Sequence, residues 1–143
     1  MKRIIFLLLL IIALFGAYYF YKEYNRTAVP VTQLKSINIF TPNELYTEFK
    51  DNETAANLKY LNKPIEVVGK IVATNTAENG ITTVAIDSGD PMGVISCELS
   101  SSENPKISKL APLDNIRIKG ICTGFLTDVI LNNCVILSVD NKL

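Results

Sequence analysis

The chain has 143 residues, room for one domain and an accessory segment. Fourteen basic and fourteen acidic residues cancel, but from Val31 onward ten Lys and Arg face thirteen Asp and Glu, a net charge of −3, the opposite of the bias that phosphate binding needs. The chain contains no histidine, which removes the commonest general base and the commonest metal ligand.

Lys2 and Arg3 precede 18 uncharged residues, Ile4 to Tyr21. As a helix these span roughly 27 Å, close to the ~30 Å hydrocarbon core of a bilayer. The segment reads as a membrane helix or a long signal peptide, and three features favour the uncleaved anchor. Cleavage after Ala17 or Gly16 would put Phe15 or Leu14 at −3, where a signal peptidase needs a small residue. Tyr18, Tyr19, Tyr21 and Tyr24 cluster at the far end like an aromatic belt. No Cys lies near the run for lipid attachment. Lys2 and Arg3 favour a cytoplasmic N-terminus by the positive-inside rule, a bias that Lys22 and Arg26 on the other flank weaken without reversing. The expectation is a single-pass signal anchor over 1–21, a linker over 22–40 and a domain over 41–143 on the periplasmic or outer side.

Thr41 is placed to cap a helix, with Pro42 at N1, Glu44 at N3 completing a capping box, and Phe40 and Leu45 as a hydrophobic staple. That helix should run from Pro42 to about Lys50, and Asn52–Leu61 adds a second helical stretch that Pro64 ends. The period then changes to two. Strands are expected from Ile65 to Ala73, Ile81 to Asp87, Gly93 to Leu99, Asn115 to Thr123 and Val129 to Val139, the last bulged at Asn132-Asn133. Asn79-Gly80 and Ser88-Gly89-Asp90-Pro91 are turns. Asn104-Pro105 opens a short helix carrying Ile107 and Leu110 inward. A leading helix, three strands, a short helical connection and two strands predict a mainly β, five-stranded Greek-key barrel of the OB type, with Gly69 and Gly120 at its bends. An open antiparallel sheet with a helix on one face is the other reading.

Leu58–Ile71 (LKYLNKPIEVVGKI), Met92–Leu99 (MGVISCEL) and Leu113–Ile136 resemble the tRNA_anti-like family of OB-fold proteins. The specific marks are Gly69-Lys70, the lone Cys97, and K-G-x-C-x-G followed by D-V-x-L-x-x-C, and the resemblance spans roughly Pro42 to Val139. It implies a bacterial envelope protein, membrane-attached or exported, of a family without an assigned function. The family's label is a fold analogy to anticodon-binding domains and not evidence of tRNA binding.

Cys97, Cys122 and Cys134 are too widely spaced for a C-x-x-C site. They read either as small core residues or as one bridge, for which Cys122 and Cys134, on hairpin partners, are the candidate pair. The candidate ligand face comprises Thr83, Ala85, Val94, Ser96 and Glu98 with the loops at Thr74–Gly80 and Phe125–Thr127, and Tyr60 and Phe125 are the candidate stacking platforms. The second and third strands hold no aromatic and no Lys or Arg, which argues against single-stranded nucleic acid. Asp87, Ser88 and Asp90 supply too few oxygens for a calcium loop and read as a solvated turn, and Asp128 as a turn cap. Asn25-Arg26-Thr27 and Asn52-Glu53-Thr54 match the glycosylation pattern, which means little in a bacterial chain. No cofactor, metal or catalytic residue is expected. The expected function is a non-catalytic, membrane-anchored binding or assembly module for an envelope protein or oligosaccharide. The alternative is a nucleic-acid-binding domain of the tRNA or single-stranded DNA type.

Overall fold

The structure, a computed structural model, describes residues 12, 14–21, 31–108 and 110–140. Most of the expected membrane helix and residues 22–30 of the linker lie outside these. Residues 14–21 are helical with exposed side chains, and among the described residues no helix is long and apolar enough to cross a membrane.

Helix α1 (Pro42–Asp51) starts as its sequence dictates. The Thr41 hydroxyl accepts from the Glu44 N–H at 3.4 Å, and the Glu44 carboxylate accepts from the Thr41 N–H at 3.1 Å, so two otherwise orphaned donors are satisfied. Pro42, Leu45, Tyr46 and Phe49 form its buried stripe at helical spacing. Asn52 ends α1 and begins α2 (Glu53–Tyr60): its N–H donates to the Glu48 carbonyl at 3.2 Å, and its side chain accepts from the Ala55 N–H at 3.0 Å.

The barrel strands are β2 (Pro64–Thr76), β3 (Thr82–Asp87), β4 (Val94–Leu99), β5 (Asn115–Phe125) and β6 (Val129–Asp140), after a two-residue β1 (Ile39–Phe40) that the sequence does not announce. β2 serves two partners. Its first half pairs antiparallel with β5, from Pro64↔Ile121 to Lys70↔Asn115, and its second half with β3, from Ile71↔Ile86 to Thr76↔Thr82. β3 pairs antiparallel with β4, β4 parallel with β6, and β6 antiparallel with β5. The β2–β5 pairing closes the order β2-β3-β4-β6-β5 on itself, which excludes the open sheet. The alternating residues Ile65, Val67, Ile71, Val84, Ile86, Ile95, Ile116, Ile118 and Leu131 fill the interior and are fully buried.

The helices α1 and α2 cover the end where β2 and β4 begin. The opposite end carries a 3-10 turn (Ser101–Glu103) and the one-turn helix α3 (Asn104–Ile107), with Ile107 and Leu110 packed against the core as expected. Glu103 is buried there, accepting from the Ile136 N–H at 3.0 Å and from Lys106 at 2.8 Å.

Residues 31–40 are part of the folded domain and not a free spacer. β1 lies parallel to β2 at Glu66 and Val67, and Ile37 N–H donates to the Pro64 carbonyl at 3.0 Å. The segment is strapped to the barrel through Glu66, which is 6% exposed. One Glu66 oxygen accepts from Arg117 Nε and Nη2 at 2.9 and 2.7 Å; the other accepts from the Ser36 hydroxyl and lies 3.6 Å from Lys119 Nζ. Lys119 Nζ also donates to the Leu34 carbonyl at 2.8 Å, and Val31 is buried. Burial alone would raise the Glu66 carboxyl, but Ser36, Arg117 and Lys119 outweigh it and hold the group below its ordinary value of 4.5.

Substituting Glu66→Ala would leave Lys119 buried without its carboxylate, at a cost of about 3 kcal/mol, the lower part of the range for a broken buried pair because Arg117 is half-exposed. Urea unfolding at pH 7 is expected to show this as a lower midpoint. Because the folded pKa is depressed, the stabilisation is present above pH 4.5 and is lost as pH falls through the folded value. The gap between parent and variant should therefore close on acidification. A gap of constant size from pH 7 to pH 3 would show that the carboxylate charge does not hold the strap.

Candidate ligand face of the barrel

Strand alternation turns Val84, Ile86, Ile95, Cys97 and Leu99 into the core and leaves Thr83, Ala85, Val94, Ser96 and Glu98 half-buried on the outer surface. Thr83 lies opposite Glu98, Ala85 opposite Ser96, and Asp87 opposite Val94. Ala73 and Asn75 of β2 extend the face beside Ala85 and Thr83, and Ile130 of β6 extends it beside Ser96. The structure thus brings Thr83, Ser96 and Glu98 onto one shallow surface of mostly small, neutral side chains. Of the two expected bordering loops, the first is shorter than expected, because Thr74–Thr76 belong to β2. The second is the tight turn Leu126–Asp128, at the opposite end of the face. Asp128 accepts from the Val94 N–H at 2.9 Å, the turn-capping role expected of it.

Tyr60 and Phe125 are not stacking platforms. Tyr60 is 7% exposed, edge-on to Phe40 at 5.2 Å and tilted against Phe49 at 5.9 Å. Its hydroxyl donates to Glu48 at 2.8 Å, and burial, reinforced by that bond, pushes its pKa up to about 12. Phe125 is half-buried, stacked on Phe49 at 5.7 Å and edge-on to Tyr46 at 5.7 Å. The reason is the position of α1 and α2: two helices laid over an open barrel end need bulky rings to fill the gap.

The acidic turn also behaves as a turn. Asp87 accepts from the Gly89 N–H at 2.9 Å, Asp90 from the Met92 N–H at 2.9 Å, and Asp90 is ion-paired with Lys50. Among the described residues no group of three His, Cys, Asp or Glu side chains is arranged to hold a metal ion.

Cys97, Cys122 and Cys134 are free, buried thiols, the first of the two readings of the sequence, and the candidate Cys122–Cys134 bridge is not made. Register explains this. Cys122 lies opposite Leu131, whereas Cys134 lies beyond a break in both β6 ladders, between Cys97 and Leu99 on one side and between Lys119 and Ile121 on the other. Asn132 and Asn133 form this bulge, as their sequence suggested, with Asn133 at φ 52°. A methyl group on Gly120 would overlap Cys134 Sγ, so glycine is what lets the bulge sit there. Cys134 neighbours Cys97 instead, and burial, with Cys97 beside it, pushes the Cys134 thiol well up. Burial likewise raises the Cys122 thiol.

A closed five-stranded Greek-key barrel with this strand order defines an OB-fold protein. The family model described as tRNA_anti-like matches residues 1–136, and the chain belongs to that family. No curated protein matches it in sequence. Among solved structures, a Klebsiella pneumoniae lipoprotein provisionally named as nucleic acid-binding shares 18% identity with a TM-score of 0.60, over 76% of this chain and 95% of that one. Yeast Stn1 with Ten1 aligns at 14% identity and a TM-score of 0.47, over 73% and 64% of the two chains. An OBody bound to hen egg-white lysozyme aligns at 17% identity and 0.44, over 56% and 86%. At 18% identity the lipoprotein likeness concerns the fold alone.

Unreduced protein, denatured and alkylated, is expected to take up three alkyl groups by mass, while folded protein reacts slowly because all three thiols are buried. Uptake of a single group without reductant would show a bridge.

Proposed function

We propose that this chain is a membrane-tethered, non-catalytic OB-fold binding module, its barrel on the periplasmic or outer side, with a protein or oligosaccharide of the envelope as ligand. The observation that carries the reading is the outer face of β3 and β4, where small neutral residues surround one carboxylate and no ring or cation is present. OB folds that hold single strands do so with stacked aromatics and a positive groove. Here the aromatics are spent on packing. Lys50, Lys59, Lys106, Arg117 and Lys119 each stand in an ion pair. The tether rests on the uncharged run Ile4–Tyr21 and on a family match that extends over it. The non-catalytic reading rests on the lack of any histidine in the chain, the commonest general base.

A nucleic-acid-binding role is the second reading, favoured by the name of the Klebsiella lipoprotein. The full chain in detergent micelles, titrated into fluorescein-labelled dT12 and an RNA 12-mer at ~0.15 M salt, is expected to give no anisotropy change. Micromolar binding would reverse the order of the two readings. A C-terminal alkaline phosphatase fusion is expected to be active in cells, and activity confined to a cytoplasmic reporter would remove the envelope placement.

A further inference from the structure

We propose that the break in the β4–β6 ladder forms a recognition site for a lysine or arginine side chain of an extended peptide, with the Glu98 carboxylate at its centre. This deepens the binding-module reading and rests on it. The β4–β6 pairing runs Cys97↔Leu131 and then Leu99↔Cys134, so Glu98 falls level with the bulged pair Asn132-Asn133. Thr83 is its direct neighbour on the other side. The β3–β4 hairpin and the distant strand β6 thus bring a carboxylate, two amides and a hydroxyl to one region of the barrel surface.

The carboxylates of this domain are otherwise used or solvated. Glu44 closes a helix cap, and Glu48, Glu66, Glu103 and Asp90 hold cations. Asp87, Asp114 and Asp128 accept backbone N–H groups. Asp51, Glu53, Glu78 and Asp140 stand exposed in water. Glu98 differs: it is half-buried, and among the described residues neither it nor Thr83, Asn132 or Asn133 has a side-chain hydrogen-bond partner. A partly desolvated carboxylate gains most from a cation that brings several donors. An ammonium has three and a guanidinium five. The carboxylate, the Asn132 and Asn133 carbonyl oxygens and the Thr83 hydroxyl are matching acceptors.

Two further observations select a peptide. The site has no ring on which a sugar could stack, and its charge is of the wrong sign for phosphate. Ala85 and Ser96, next along the face, are small enough for a backbone to pass close to the sheet. Net charge of the domain favours the same ligand.

The test uses the full chain in detergent micelles and a fluorescein-labelled Gly-Ser dodecapeptide with one central lysine, compared with the same peptide carrying norleucine there. Saturable binding of the lysine peptide alone is expected. E98Q should weaken it at least tenfold, and N133G, which suits the positive φ at that position, several-fold. D51N, at the exposed end of α1 and off the face, should leave it unchanged. Amide resonances of Thr83, Ser96 and Glu98 are expected to shift on titration. Equal binding of both peptides, binding untouched by E98Q in a variant of parental thermal stability, or no binding at all would overturn the proposal. Binding of a neutral oligosaccharide such as chitotetraose with shifts at the same residues would overturn the cationic site while keeping the module. Binding of dT12 would overturn both.

Discussion

One strand belongs to both halves of this molecule, and the rest of the architecture depends on it. β2 gives its first half to β5 and its second half to β3, with the transfer at Lys70 and Ile71 and a register shift immediately after. A flat strand cannot do this, because the two partners lie on opposite edges and must be brought round until the sheet closes. Gly69 stands just before the transfer. A methyl group there would overlap Pro42 of α1 and Ile86 of β3, so the same glycine that lets β2 bend lets the first turn of α1 lie against it. Closure then fixes which end the helices cover and which outer surface stays open.

Much of this was legible in the chain because the signals were local. Thr41, Pro42 and Glu44 describe a helix start through contacts within three residues, and strand alternation placed Thr83, Ser96 and Glu98 on one surface. Asn132-Asn133 announced their bulge. What was not legible depended on distance. β1 has two residues and so no period to detect. The strap joins Ser36, Glu66, Arg117 and Lys119, which nothing in the sequence links. Tyr60 and Phe125 were misjudged because an aromatic next to a turn is equally consistent with an exposed platform and with a plug, and only the placement of α1 and α2 over the barrel end decides. The candidate Cys122–Cys134 pair is three residues out of register: hairpin partners are readable, but Cys122 faces Leu131 and the bulge carries Cys134 towards Cys97. Glu98 falls level with Asn132 and Asn133 through a parallel pairing of strands far apart in the chain, which no local pattern announces.

The distribution of charge has a common logic. Several cations of the domain are tied to carboxylates that staple one element to another: Lys50 joins α1 to the β3–β4 turn, Arg117 and Lys119 join β5 to β2, and Lys106 joins α3 to the Glu103 turn. The more exposed of these pairs, such as Lys50–Asp90, contribute little to stability, but all of them occupy positive groups that an anionic ligand would need. A surface of small neutral residues around one carboxylate without a partner among the described residues is what such an arrangement leaves on β3 and β4. The fold supplies a platform that unrelated OB proteins use for different ligands.

The strap over Glu66 has a mechanical consequence. Any pull on the chain ahead of Val31 enters the barrel through Leu34, Ser36 and β1, and is taken up by β2 and β5 at Glu66, Arg117 and Lys119. The load crosses the strands that close the barrel and bypasses α1. A domain pulled from this point is held in shear across several bonds acting together.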